Sequence, residues 1–122
     1  MARIRPIFII DDDESVRRAL RRLLRSVGLT ATAFATAEEF LECTEQPGPG
    51  CLILDVHLPG LSGLELQKRL TAEGRQVPVV FITAYGDDQT RDLALRAGAI
   101  AFLQKPFEER PLLDAVVRAM CS

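Results

Sequence analysis

Residues 7–20 read IFIIDDDESVRRAL. Four apolar residues end at Asp11, and three aspartates and a glutamate follow at once. A short apolar run of this kind suits a strand buried on both faces. The acids then sit where that strand leaves the core. Like charges packed together repel and raise one another's pKa, so other residues must compensate them. Beyond the acids, Val16, Leu20, Leu23, Leu24 and Val27 recur at helical spacing with arginines on the opposite face. Gly28 is placed to close that helix. Asp13, just ahead of Ser15, suits its N-terminal cap.

The same grammar repeats along the chain. Thr30–Phe34 alternates as a weaker strand, and Ala37–Cys43 reads as a short helix capped by Thr36. Residues 46–50, QPGPG, form a loop by composition. Cys51–Leu54 is a second apolar run, ending in Asp55 and a turn-rich LPGLSG at 58–63. A helix over 63–72 should turn Leu66 and Leu70 inward. Val79–Ile82 ends in Thr83, and a helix over 88–97 follows, closed by Gly98. That helix has only a thin apolar stripe of Leu93, Ala94 and Ala97, which suits an element that shifts between two states. Ile100–Leu103 is the last strand and ends close to Lys105 and Pro106. A final helix over 108–120 carries Leu112, Leu113, Val116, Val117 and Met120 on one face.

Five strand–helix units in strict alternation imply a parallel sheet covered by helices on both sides. Right-handed crossovers leave few topologies. The expected fold is a three-layer (βα)5 α/β domain of flavodoxin-like type, with five parallel strands in the order 2-1-3-4-5. No linker, repeat or second domain is evident in the 122 residues.

Composition narrows the function. Hydrophobic residues make up 48%, enough for a real core. A net charge of −2 argues against general binding to nucleic acid or to an anionic membrane. There is no apolar run near ~18 residues and no signal-peptide pattern, so the expectation is a soluble cytoplasmic protein with no membrane partner. Cys43, Cys51 and Cys121 are scattered and offer neither a disulfide framework nor a CxxC metal site. They read as incidental free thiols.

Ligands of open α/β sheets bind beyond the carboxyl ends of the strands. There the first strand delivers Asp11 and Asp12, the third Asp55, the fourth Thr83 and the fifth Lys105. Three carboxylates on one rim call for a hard cation. Mg²⁺ suits oxygen ligands and commonly shares them with a phosphate; Mn²⁺ or Ca²⁺ could substitute. A lysine and a hydroxyl nearby suit a phosphoryl oxygen. The chemistry is that of a carboxylate nucleophile accepting a phosphoryl group.

The blocks Ile9-Ile-Asp-Asp-Asp13, Leu54-Asp-Val-His-Leu-Pro-Gly60, Ile82-Thr-Ala84 and Gln104-Lys-Pro-Phe107 resemble the CheY-like receiver domain of bacterial two-component response regulators. The resemblance spans essentially the whole chain in order and spacing. Lys-Pro-Phe-Glu at 105–108 is most similar to receivers that precede a helix-turn-helix DNA-binding domain of the FixJ/NarL type. The resemblance implies a signalling switch rather than an enzyme, with Asp55 as phosphoacceptor and a sensor histidine kinase as donor. Asp11 and Asp12 would hold Mg²⁺ together with Asp55 and the backbone carbonyl of His57. Thr83 and Lys105 would engage the phosphoryl group, and the Lys105–Pro106 bond would be cis. Phe102 stands at the switch aromatic, where a hydroxyl is absent and packing alone must carry the change. The fourth helix, fifth strand and fifth helix would form the output face. Leu95, Arg96, Ala101 and Phe102 are candidates there for a phosphorylation-dependent homodimer contact.

His57 and Tyr85, two residues beyond Asp55 and Thr83, are candidates for tuning phosphate lifetime. The stripe Arg17, Arg18, Arg21, Arg22 and Arg25 reads as a solvated helix face, with kinase docking as the alternative. An aspartate-nucleophile phosphatase would place a second acid at position 57, which is histidine. A flavin-binding flavodoxin would need a Ser/Thr-Gly phosphate loop after the first strand, where acids stand instead. Ser122 falls just past the last helix. The chain is then either a stand-alone receiver or a piece lying before a C-terminal DNA-binding domain, and the resemblance favours the second. DNA would be met only through that domain.

Overall fold

The computed structural model describes residues 6–43 and 50–121. The elements run β1 (Ile7–Ile10), α1 (Glu14–Ser26), β2 (Ala31–Phe34), α2 (Ala37–Glu42), β3 (Cys51–Asp55), α3 (Gly63–Ala72), β4 (Val79–Thr83), α4 (Asp88–Arg96), β5 (Ala101–Gln104) and α5 (Glu109–Met120). Every strand pair is parallel, and the order is β2-β1-β3-β4-β5. Both the alternation and the strand order match the sequence expectation. Of the expected 46–50 loop, residues 46–49 lie outside the described residues.

Strand alternation sorts the core into two halves. Ile7, Ile9, Ile53, Val80 and Ile82 meet Leu20 and Leu24 of α1 and Leu112 and Val116 of α5. Phe8, Ile10, Leu52, Leu54 and Phe81 meet Phe40 of α2, Leu66 and Leu70 of α3 and Ala94 of α4. Phe8, Phe34 and Phe40 pack edge-to-face with centroids 5.6–5.9 Å apart, each such pair worth about 1 kcal/mol beyond its buried area. Helix starts follow the sequence signals. Asp13 accepts from the Ser15 N–H at 2.9 Å, and Thr36 and Ser62 form capping boxes with Glu39 and Glu65.

Four inward assignments change. Val27 and Val117 are about half exposed, whereas Ala115 and Ala119 are buried. Those alanines pack in the core between α5 and the sheet. In α4, Leu93 and Ala97 face solvent and Ala94 is the only buried residue. Ala101, a candidate contact residue of the expected output face, is 8% exposed and packs in the core. The last strand also begins at Ala101 rather than Ile100. One buried polar residue escaped the sequence reading: Gln67 is buried, and its Nε2 donates to the Ala94 carbonyl at 3.3 Å. This ties α3 to the lone buried point of α4.

The thiols differ sharply in environment. Cys51 is buried in β3 and its pKa is pushed up to about 12 by burial, while Cys121 is exposed. Native protein at neutral pH should therefore react with a thiol reagent at Cys121, and at Cys51 only after denaturation. Counting modified cysteines by peptide mass checks this. Labelling of Cys51 in the native state would contradict the packing of β3.

Candidate functional site

Parallel register brings the strand ends to one rim. Ile10 lies beside Leu54, Asp55 beside Ile82, and Thr83 beside Gln104. Asp11 continues β1 by donating its N–H to the Phe34 carbonyl at 3.1 Å, and the Lys105 N–H reaches the Thr83 carbonyl at 2.8 Å. Residues from the ends of four strands, β1, β3, β4 and β5, thus converge although they lie far apart in sequence.

Asp11 is fully buried and Asp55 is 4% exposed. Their partners are specific. Asp11 Oδ1 accepts from the Asp13 N–H at 2.9 Å, and Asp55 Oδ1 accepts from the His57 N–H at 3.1 Å. The Lys105 ammonium lies between the two carboxylates, donating to Asp55 Oδ2 at 3.0 Å and standing 2.7 Å from Asp11 Oδ2. The Lys105 ammonium is thus the partner of Asp11 Oδ2 in an ion pair. Burial raises the Asp11 carboxyl above its ordinary value, against the lowering by Lys105 and by the Asp13 N–H. Burial also opposes the Lys105 charge, yet Asp11 and Asp55 together outweigh it and hold the ammonium above its ordinary value. Lys105 is therefore the fixed charge of the pair and Asp11 the softer one.

Asp12 completes the cluster from an exposed position. Carboxylate oxygens of Asp11, Asp12 and Asp55 all lie within 4.8 Å of one another. An all-oxygen donor set of two buried carboxylates and one open to solvent fits a hard divalent cation. Asp13 does not join them. Its carboxylate caps α1, and bonds from the Ser15 hydroxyl and N–H keep it below its ordinary pKa.

Thr83 is fully buried at the end of β4, and its Oγ accepts from the Tyr85 N–H at 3.2 Å. The hydroxyl proton stays free to donate. The half-buried Phe102 ring leans on the β4–α4 loop. A Cβ at Gly86 would stand 2.8 Å from Phe102 Cε1 and 3.0 Å from Thr83 Cγ2. The Lys105–Pro106 peptide is cis. His57 turns its imidazole to the Tyr85 carbonyl, with Nε2 3.1 Å away. That pairing requires the proton on Nε2 and occupies the ring nitrogen outside the acid cluster.

Two supporting residues were invisible in sequence. Arg17 is half-buried, and its Nη1 donates to the Asp11 carbonyl at 2.7 Å, so it leaves the solvated stripe. Gly63 opens α3 tightly against the strand end. A Cβ there would collide with the Asp55 carbonyl and stand 3.0 Å from Val56 Cα. Its N–H bonds the Val56 carbonyl at 3.0 Å. No local pattern separates Arg17 from the four other arginines of α1, or Gly63 from an ordinary helix start.

Among the described residues, no helix is long and apolar enough to cross a membrane. Residues 7–117 match the sequence profile of the response regulator receiver domain. The chain is 48% identical over 113 residues to nodulation protein W of Bradyrhizobium diazoefficiens, covering 93% of this chain and 50% of that protein. It is 41% identical over 111 residues to the transcriptional regulatory protein FixJ of Azorhizobium caulinodans, covering 91% and 53%. The solved structure of response regulator StyR superposes with a TM-score of 0.88 at 50% identity, over 97% of this chain and 60% of that one. The chain thus spans about half the length of the curated relatives it matches.

Proposed function

The chain belongs to the response regulator receiver family, and from that premise we propose that it is a phosphoacceptor switch in which Asp55 takes a phosphoryl group from a sensor histidine kinase. The observation that carries this reading is the Lys105 ammonium held between Asp55 and Asp11 at 3.0 and 2.7 Å, beside an exposed third carboxylate.

The reaction follows from those groups. An Asp55 carboxylate oxygen attacks phosphorus, and the bond from phosphorus to the donor's imidazole nitrogen or acyl oxygen breaks. The leaving group departs with that electron pair, and no oxidant or reductant is needed. Asp11, Asp12 and Asp55, with the His57 carbonyl, would hold Mg²⁺. The ion would neutralise phosphoryl oxygens as charge redistributes. Lys105 supplies a fixed positive charge to the same oxygens, and the free Thr83 hydroxyl proton is the remaining donor. When Thr83 turns toward the new phosphoryl group, its Cγ2 leaves the space beside Gly86 that the Phe102 ring also borders, and the ring is free to follow. Phosphorylation is in this way converted into repacking of α4, β5 and α5.

A test needs only the purified chain, acetyl phosphate and intact mass. One phosphoryl group should be gained with Mg²⁺ and none after chelation. An unchanged mass in both would overturn the reading.

Exposed surface on α4, β5 and α5, including Leu95 and Arg96 with the edge of Phe102, is the proposed output face. The net charge of −2 favours delivery of the signal by protein contact, to a second copy or to another protein, as a stand-alone receiver would do. The half-length match to a transcriptional regulator supports a second reading, in which the face acts on an attached helix-turn-helix domain that alone meets DNA. Either setting is cytoplasmic, where the kinase's phosphohistidine is presented.

Tyr85 bears on how long the signal lasts. Its ring is 80% exposed and stands edge-on to His57 with centroids 6.3 Å apart. Two rings beside the acceptor loop would obstruct a water approaching the phosphoaspartate. Tyr85→Ala should shorten the phosphate lifetime by roughly threefold or more. Following the decay of the phosphorylated mass checks this, and equal lifetimes would refute it.

A further inference from the structure

We propose that Arg17 is a positioning residue for the acidic pocket, fixing the Asp11–Asp12 peptide so that the exposed Asp12 carboxylate faces the cation position. This rests on the cation-assisted reading above. Three observations carry it. First, Arg17 Nη1 donates to the Asp11 carbonyl at 2.7 Å, a short charge-assisted bond to the very peptide that precedes Asp12. Second, the other groups of this turn are already anchored and Asp12 is not. The Asp11 N–H goes to Phe34, Asp11 Oδ1 takes the Asp13 N–H, and the Asp13 carboxylate caps Ser15. The Asp12 side chain is exposed, and its orientation depends on the plane of the peptide before it. Third, Glu14, the carboxylate that lines the same groove as Arg17, is occupied, because it pairs with Arg18 at 3.0 Å. Arg17 is therefore left to the carbonyl, while Arg21, Arg22 and Arg25 line the open groove with it.

Charge and geometry predict opposite signs here. A guanidinium beside a cation site repels the cation, so deleting it by charge alone would tighten Mg²⁺ binding. Loss of positioning would weaken binding, about tenfold for a supporting hydrogen bond behind a metal ligand. The test is an amide chemical-shift titration of the unphosphorylated protein with MgCl₂, on wild type, Arg17→Met, Arg17→Lys and Arg21→Met. The expected result is about tenfold weaker Mg²⁺ binding in Arg17→Met and recovery to within about threefold in Arg17→Lys, which keeps charge and donor. Arg21→Met removes the same charge without that bond, and should bind as wild type or slightly tighter. A second readout needs no metal. Amide exchange at Asp12 and Asp13 in the metal-free protein should quicken in Arg17→Met and not in Arg21→Met. Binding by Arg17→Met as tight as wild type, or tighter, would overturn the proposal alone. Absence of Mg²⁺ binding by the wild type would overturn the proposed function and this inference together.

Discussion

Asp55→Asn is expected to take up no phosphoryl group from acetyl phosphate in the presence of Mg²⁺, a loss on the order of a thousandfold or more. The amide is nearly the same size as the carboxylate but is neither anionic nor nucleophilic. The local frame should survive the change. An amide oxygen can still accept the His57 N–H that Asp55 Oδ1 accepts at 3.1 Å. Lys105 keeps its 2.7 Å ion pair with Asp11. The 3.0 Å contact to Asp55 Oδ2 is lost, because the amide NH₂ that takes that place is a donor facing the ammonium. Against that loss, Asp11 is freed from the Asp55 charge that helps to raise its pKa. The denaturation midpoint should therefore move little while the chemistry disappears. Intact mass and a urea melt on the same sample check both halves. Phosphate uptake at wild-type rate by Asp55→Asn would place the acceptor elsewhere.

Gly63→Ala should damage both fold and site, although helix propensity argues for the opposite. Alanine in a helix is ordinarily better than glycine by about 1 kcal/mol. Gly63 has no positive φ, so no backbone strain stands in the way. The obstacle is the Asp55 carbonyl, which the new Cβ would strike, with Val56 Cα behind it at 3.0 Å. Neither can yield as a flexible side-chain tip would, because both are backbone at the end of a central strand. Overpacking of this kind costs about 3 kcal/mol, which lowers the melting temperature of a domain this size by roughly 10 °C. Relief can come only from moving α3 outward or displacing the Asp55–Val56 peptide. The second displaces the acceptor relative to Lys105, so phosphorylation should slow by about tenfold or more in the fraction that folds. Thermal melting and the rate of mass gain measure the two effects. Stabilisation by about 1 kcal/mol would mean that propensity wins and that the contact is looser than the structure has it.

These two positions show which kind of information the sequence carries. Asp55 was legible because a carboxylate at the end of a run buried on both faces is anomalous by itself. Asp11 and Lys105 were legible for the same reason, and the alternation of strands and helices then placed all three on one rim. The strand interiors were easy because Ile7–Ile10 and Val79–Ile82 are apolar without interruption. Helix faces were harder. Period alone assigns Val27, Leu93 and Val117 inward, but whether a helical position meets the sheet depends on how far the sheet extends beneath it. Arg17 and Gly63 act through main-chain atoms of residues six and eight positions away. Main-chain proximity across a turn leaves no mark on residue type. Arginine in a row of arginines and glycine at a helix start both have an ordinary explanation.

The single buried residue of α4 sets a gradient in how the molecule breathes. Amide exchange in β1, β3 and β4 should require near-global unfolding, since those strands are enclosed from both sides. In α4 Ala94 is the one buried residue, linked to Gln67, so its amides should exchange through a local event of much lower free energy. A ligand or a covalent group that adds even a few contacts to this helix would then shift its protection out of proportion to their number. The expected picture is a slow-exchanging slab with a quick-exchanging rod at α4.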